Sequence, residues 1–453
     1  MRSPAADARR VRPVGQDGIR RNIVYESQQG ESLIVITVVF IVAQFIMMID
    51  SRYFDIQNPL GLPIGLSQGV FYIFGLTFAV VLARDTHLVF PWRPAVGLLW
   101  VLGLTLGSVV SKLPGEAFPQ AVSYAIYFAS GYGIYKACLN DRILKVALLV
   151  MAVVGLGWAI FIVMVFISNG GHLPHRYTAY LGYKGSFNHH AYGLLIINGG
   201  VAALALISKS KKPVATALMT FIVFATFSAV IVSQSRACFV AFAATAGYVV
   251  LKSDNVRGRG RVLIKWLWVL ATIVAIFWGM REGSLFSEDV VKRFDFQDQE
   301  YQLQKSEGRL QMIRKGLILI ARNPLGVGGY NARSSGVSID ELNPIEGYML
   351  HNQYITAVAE GGWVVLIPLV VLVNSTLVRP FRNRWSSPVR LGIYCCWLNI
   401  SVLLLFAEMM GNLWFLLLFM CSAAIALEKR DIKNRAGGGA PLGPPRGRIG
   451  LAK

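Results

Sequence analysis

Residues 306–330 read S-E-G-R-L-Q-M-I-R-K-G-L-I-L-I-A-R-N-P-L-G-V-G-G-Y, and after a polar span residues 351–363 read H-N-Q-Y-I-T-A-V-A-E-G-G-W. The first half predicts a capped helix. Ser306 is the expected N-cap, Glu307 suits the positive end, and Asn323-Pro324 stops the helix before a glycine-rich turn. At about 100° per residue, Leu310, Met312, Ile313, Gly316, Leu317 and Ile320 share one arc, with Arg309 in its middle. Gln311, Arg314, Lys315 and Arg322 take the opposite, wet face. An arginine centred on an apolar arc is costly unless an anion pairs with it. The alternative is a first-turn arginine that snorkels past the helix end. The second half leads back into an apolar run. A polar helix and a glycine turn feeding a membrane span is thus the pattern to which the rest of the chain is fitted.

Working outward, 55% of the 453 residues are hydrophobic and only 15% are charged, against about 25% charged in soluble domains. Apolar runs long enough to cross a hydrocarbon core recur near 32–49, 66–83, 95–111, 118–135, 143–168, 190–207, 214–233, 237–251, 262–280, 353–378, 390–407 and 412–427. The expected fold is all-α: a polytopic integral membrane protein of about twelve transmembrane helices with one large extracytoplasmic helical cap loop. Only Gln234-Ser235-Arg236 separates 214–233 from 237–251, which predicts a tight helical hairpin. The last pair is broken as abruptly, at Glu408 to Gly411.

With the N-terminus cytoplasmic, about two thirds of the 44 lysines and arginines fall on the cytoplasmic side. The net charge of +20 is therefore a topology signal and not a nucleic-acid footprint. The layout is a basic cytoplasmic tail over 1–31, nine spans within 32–280, a periplasmic cap loop over 281–352, three spans within 353–428 and a disordered cytoplasmic tail over 429–453. A loop this long is expected to fold. It offers a short helix over 287–296, the 306–322 helix, and a turn-rich span from Gly326 to Gly347, together a cap on the outer membrane face. No internal repeat and no second soluble domain is visible. Cys138, Cys238, Cys395, Cys396 and Cys421 lie in or beside apolar runs, without disulfide or zinc spacing.

The residues able to do chemistry gather on the outer side. Of six histidines, His172, His175, His189, His190 and His351 map there, and His87 does not. Singly, each reads as an ordinary interfacial polar residue or as a base. His351 stands apart, because it lies where the loop re-enters the membrane, beside Asn352 and Gln353, which are placed to orient an imidazole. Arg236 tips the hairpin on the side that topology leaves poor in arginine; interfacial anchoring is its alternative. Glu360 lies two turns inside its span, and intramembrane carboxylates are costly and often functional. It is equally read as neutral, or as held by a hydroxyl or by Arg236. No metal-ligand spacing and no nucleotide motif occurs. Arginine forks bind diphosphate, and a histidine can take a proton from a sugar hydroxyl. That set fits glycosyl transfer from a lipid diphosphate.

Three patterns carry a resemblance to the O-antigen ligase and polysaccharide polymerase superfamily of bacterial membrane glycosyltransferases. They are G-S-F-N-H-H-A-Y-G at 185–193, S-Q-S-R-A at 233–237, and G-R-L-Q-M-I…N-P-L-G-V-G-G-Y followed by H-N-Q-Y…E-G-G. The third is the most specific. His190 stands where the family usually has asparagine, and Met312-Ile313 replaces an aromatic found after the loop arginine. The resemblance implies a metal-independent, inverting enzyme without cofactors at the periplasmic face of the bacterial inner membrane. Its donor would be an undecaprenyl-diphosphate-linked oligosaccharide, its acceptor a glycan or lipid A–core, and its other partners the bilayer, flippase and chain-length regulator proteins. It makes His351 the base and Arg236 and Arg309 the donor-diphosphate residues, with Asn352, Glu360, His189, His190 and Arg314 as accessory positions. Polymerase and ligase are not separated by the sequence. A non-enzymatic transporter or flippase of lipid-linked sugar is the rival, but it would show paired repeats and charges near the midplane.

Overall fold

The computed structural model describes residues 39, 69, 73–75, 77, 92–111, 113–168, 189–207, 212–233, 235–252, 299–329, 331–332, 350, 352–382, 385–406 and 412–436; the side chains of 92–95, 116, 189–192, 236, 250–251, 299–309, 412 and 434–436 lie outside that description. The described chain is all-helical and has no strand. The helices used below are α1 (Trp92–Val110), α2 (Pro114–Cys138), α3 (Asp141–Ser168), α4 (His189–Ile207), α5 (Pro213–Val232), α6 (Arg236–Lys252), α7 (Gln299–Arg322), α8 (Gln353–Val373), α9 (Pro388–Leu403) and α10 (Asn412–Ala436).

Asp141–Ser168, Pro213–Val232 and Gln353–Phe381 are long and apolar enough to cross a membrane, and Val96–Val110, Gly193–Ile207, Ala237–Val249 and Pro388–Leu403 are shorter apolar helices. Leucine- and valine-rich faces stay exposed on these helices (Leu102 and Val109 on α1, Val153 and Met164 on α3, Phe221 on α5, Ile367 and Val370 on α8). Hydrocarbon, not water, satisfies such faces. The chain is a membrane protein. Most of the runs near 32–49 and 66–83, the run near 262–280, and the break at 408–411 lie outside the described residues.

Packing departs from the sequence reading in two places. Helices α5 and α6 do not lie side by side as a tight hairpin. They meet near their shared end, through Phe227 against Phe239 and Phe242, and each packs mainly on other helices, α5 on α3 and α4, α6 on α4 and α9. At the turn between them, Ser233 and Ser235 are both buried and engaged: Ser233 Oγ donates to Val230 O at 2.7 Å, and Ser235 Oγ accepts from Cys238 N at 3.4 Å, as an N-cap does. The second departure is at the C-terminus. Helix α10 runs on to Ala436, well into the tail expected to be disordered.

An ion cluster explains the extra turns. The Arg390 guanidinium, at the start of α9, donates to both oxygens of Asp141 (2.9 and 2.8 Å), to Glu428 (3.2 Å) and to Asp431 (2.6 Å). Glu428 also accepts from Ser386 N and Oγ. The first turn of α3, the start of α9 and the end of α10 are thereby clasped. Because Glu428 is buried, removing its cation leaves a buried charge, a change that costs about 3–5 kcal/mol. Arg390→Met is therefore expected to lower the unfolding temperature in detergent markedly, and Arg390→Met with Glu428→Gln to recover part of the loss. An Arg390→Met protein as heat-stable as wild type would remove the clasp.

Candidate functional site

Helix α8 is capped and tethered at its start. Asn352 is extended, and its side-chain oxygen accepts from Tyr354 N and Ile355 N, each at 3.1 Å. That carbonyl is thus a helix cap, the role asparagine fills best. Gln353 N donates to Leu404 O at 2.9 Å, and Tyr354 OH donates to Ser401 O at 2.9 Å, which ties the start of α8 to the end of α9. On the other side of residue 351, Leu350 is buried in a small cluster with Leu319, Ala332 and Ala359. Both chain neighbours of His351 are anchored. His351 itself lies outside the described residues.

Helix α8 breaks at the E-G-G motif. Gly362 has φ 67° and ψ −164°, a conformation essentially reserved for glycine, and it deprives Ala359 O and Trp363 N of each other. The N-P-L-G-V-G-G turn after α7 fills the gap. Val327 N donates to Ala359 O (3.0 Å), Gly328 N to Glu360 O (3.0 Å), and Trp363 N to Pro324 O (2.9 Å). Gly326 and Gly328 also have positive φ. The pieces fit only without side chains: a methyl at Gly326 would overlap Glu360 O, and one at Gly107 of α1 would overlap it from the far side. The two glycine motifs, 30 residues apart in sequence, are thus two halves of one backbone joint.

Glu360 sits in this joint, 3% exposed. It accepts from Gln120 Nε2 of α2 at 3.2 Å, a partner the sequence did not single out. Gln120 is an isolated polar residue in an apolar run, after Pro119, and that was its one signal. Asn331 donates to Ser111 Oγ and to Leu113 O, closing the turn over the end of α1.

Helix α7 corrects the wheel reading. It begins at Gln299, so Ser306 lies inside it and is not its cap; Q-E-Y-Q-L-Q-K supplies strong helix formers and no breaker. It ends at Arg322 as expected. Lys315 is fully buried, together with Gly316 and Leu319, whereas Leu310 and Leu317 are 65% and 55% exposed. The face that packs is centred between the two sequence arcs, because Gly316 lets Ile355 and Leu350 of the α8 start come close. Arg314 is exposed, as the wheel predicts. Arg309 lies about 10 Å along the axis before Gly316; its side chain lies outside the description.

Backbone register brings the other candidates to the same end. Thr245 against Asn399 and Tyr248 against Tyr394 set α6 antiparallel to α9. Arg236, the first residue of α6, therefore lies at the end where α9 meets α8. Gly193 approaches Cys238, and Gly200 approaches Phe242, so α4 runs parallel to α6 and its first residues, His189 and His190, also start at that end. The side chains of Arg236, His189 and His190 lie outside the description. Among the described residues, no group of three or more His, Cys, Asp or Glu is placed to hold a metal ion.

A comparison with curated proteins gives no match. A family model described as O-antigen ligase matches residues 221–370. The matched segment begins in α5, takes in Arg236, Arg309 and His351, and ends beyond the break in α8; Gln120, His189 and His190 lie outside it. Its two glycine motifs are the two sides of the joint just described. The match over residues 221–370 supports the likeness to the O-antigen ligase and polymerase family that the sequence motifs suggested.

Proposed function

We propose that the protein is a glycosyltransferase of surface polysaccharide synthesis, moving an undecaprenyl-diphosphate-linked oligosaccharide onto a saccharide acceptor at the periplasmic face of the inner membrane. The observation that carries this reading is the O-antigen ligase match over the segment holding Arg236, Arg309 and His351. It is supported by a backbone architecture that starts α4, α6 and α8 at one end of the bundle. In the reaction His351 removes the acceptor hydroxyl proton, the oxygen attacks the anomeric carbon, and the diphosphate leaves with inverted configuration at that carbon. Arg236 and Arg309 hold the departing diphosphate through guanidinium forks. An arginine in the first turn of α6 opposes the helix dipole, which favours an anion beside it. Neither a metal nor a cofactor enters the scheme, and both termini are cytoplasmic.

Purified protein incubated with undecaprenyl-diphosphate oligosaccharide tests the reading. Lengthening of the lipid-linked chain means polymerase, and transfer only to added lipid A–core means ligase. No transfer in either arm, with donor bound and carried across a vesicle membrane, would replace the enzyme by a transporter. Within the scheme, Arg309→Lys is expected to lose most of the activity although its charge remains, since a lysine cannot form the fork. Arg314→Ala, exposed on the same helix, is expected to lose far less. Equal losses at normal protein levels would remove the assignment of Arg309.

A further inference from the structure

We propose that the turn 323–329 is a re-entrant loop. It dips below the membrane surface, with Leu325 and, one helical turn and more above it, Ala321 and Leu317 lying against phospholipid acyl chains. The inference goes beyond the transfer chemistry and does not depend on it.

Register fixes the depth. Gly316 of α7 packs on Ile355, Leu319 clusters with Ala359, and Pro324 O accepts from Trp363 N. The pairs advance together, so the last two turns of α7 descend parallel to the first turns of α8. The joint lies seven to ten residues, about 10–15 Å, below the α8 start. Helix α1 gives an independent ruler. It runs antiparallel to α8, with Gly103 beside Val365 and Gly107 beside Glu360, Leu325 and Gly328. Its apolar helix continues past Gly107 to Val110, and Val109 and Val110 are exposed there. Hydrocarbon-facing surface therefore extends farther out than the joint, and the joint lies inside it.

The surface and the backbone both fit that depth. Leu325 is exposed directly beside the break, next to exposed Trp363, and the stripe continues down α8 through Ile367 and Val370. The occupant of that lower stripe in a membrane helix is lipid, and Leu325 and Leu317 prolong it. Irregular backbone is tolerated at membrane depth only where its polar groups are paired within the protein. Here the N–H groups of Asn323, Gly326, Val327 and Gly328 donate to Leu319 O, Asn323 O, Ala359 O and Glu360 O, and Pro324 O accepts from Trp363 N. Arg322, exposed at the end of α7, is long enough to snorkel back to the phosphate layer.

Nitroxide accessibility in the full chain, reconstituted in phospholipid nanodiscs, tests the loop. The five native cysteines are buried, so labels are carried by Leu325→Cys, Leu317→Cys, Gln311→Cys and, as the lipid-facing reference, Ile367→Cys. The ratio of oxygen to nickel-chelate collisions is expected to be several-fold higher at Leu325 than at Gln311, and to approach that at Ile367, with Leu317 between. A nickel accessibility at Leu325 equal to that at Gln311 would put the turn in water and overturn the proposal. So would a label at Leu325 that neither reagent reaches, since protein would then cover it. Ala321→Cys, on the same exposed flank, replaces Leu325→Cys if that variant does not reconstitute. None of these outcomes bears on glycosyl transfer, which is scored separately by the donor assay.

Discussion

His351→Ala is expected to lose about 10²–10⁴-fold in transfer rate, the usual cost of deleting a positioned general base, while still binding the lipid-linked donor. Donor affinity survives because Arg236 and Arg309, the proposed diphosphate residues, remain. The anchored neighbours make the variant conservative for folding: Leu350 stays in its buried cluster and Asn352 keeps both of its cap hydrogen bonds. The sign of the pH effect follows from the role. A base works neutral, so wild-type rate should fall as pH drops through the range where imidazole protonates, about 6.5 when unperturbed, and that limb should vanish in the variant. Added chelator should change nothing. His189→Ala and His190→Ala, outside the matched domain, should keep much more activity. Near-wild-type turnover in His351→Ala, with the acidic limb intact, would move the base elsewhere, and Glu360 would be tested next.

Gly362→Ala is expected to abolish most transfer by opening the joint between the loop and the broken helix. The backbone conformation alone costs a non-glycine residue about 1–3 kcal/mol. The added methyl would also overlap Pro324 O and Leu325 C, backbone atoms that cannot rotate out of the way. The turn must then withdraw, and the hydrogen bonds of Val327, Gly328 and Trp363 go with it. Two readouts separate this from general misfolding. Trypsin should cleave the variant faster near Arg322, while the clasp of Arg390 at the other end of the bundle keeps its heat stability. Gly157→Ala is the control, since its added methyl meets nothing within 4 Å. A Gly362→Ala protein with wild-type rate and wild-type protection near Arg322 would show that the joint is not needed.

Local sequence determined a good deal. Apolar run length predicted the helices α1 to α6 and α8 to α10, because a span must satisfy its backbone internally and therefore declares itself in composition. Asn323-Pro324 ended α7 because proline cannot continue a helix. The order of the glycine motifs, the hairpin arginine and the loop histidine was enough to resemble the O-antigen ligase family, since that resemblance is itself a property of local strings.

What the strings could not carry is which backbone meets which. The wheel of α7 separated apolar from polar residues correctly but could not say which sector would be covered. The covered sector was decided by Gly316 admitting Ile355, and it took Lys315 inside while leaving Leu310 and Leu317 out. Asn352 caps α8 through its side-chain oxygen, because a helix start has free N–H groups close to hand. Glu360 acquired Gln120 from a helix 240 residues away. Above all, N-P-L-G-V-G-G read alone as a turn and E-G-G as part of a membrane span. Only the tertiary structure made them complementary, because the hydrogen bonds lost at a helix break have to be restored by whatever backbone can come close enough, and glycine is what lets it.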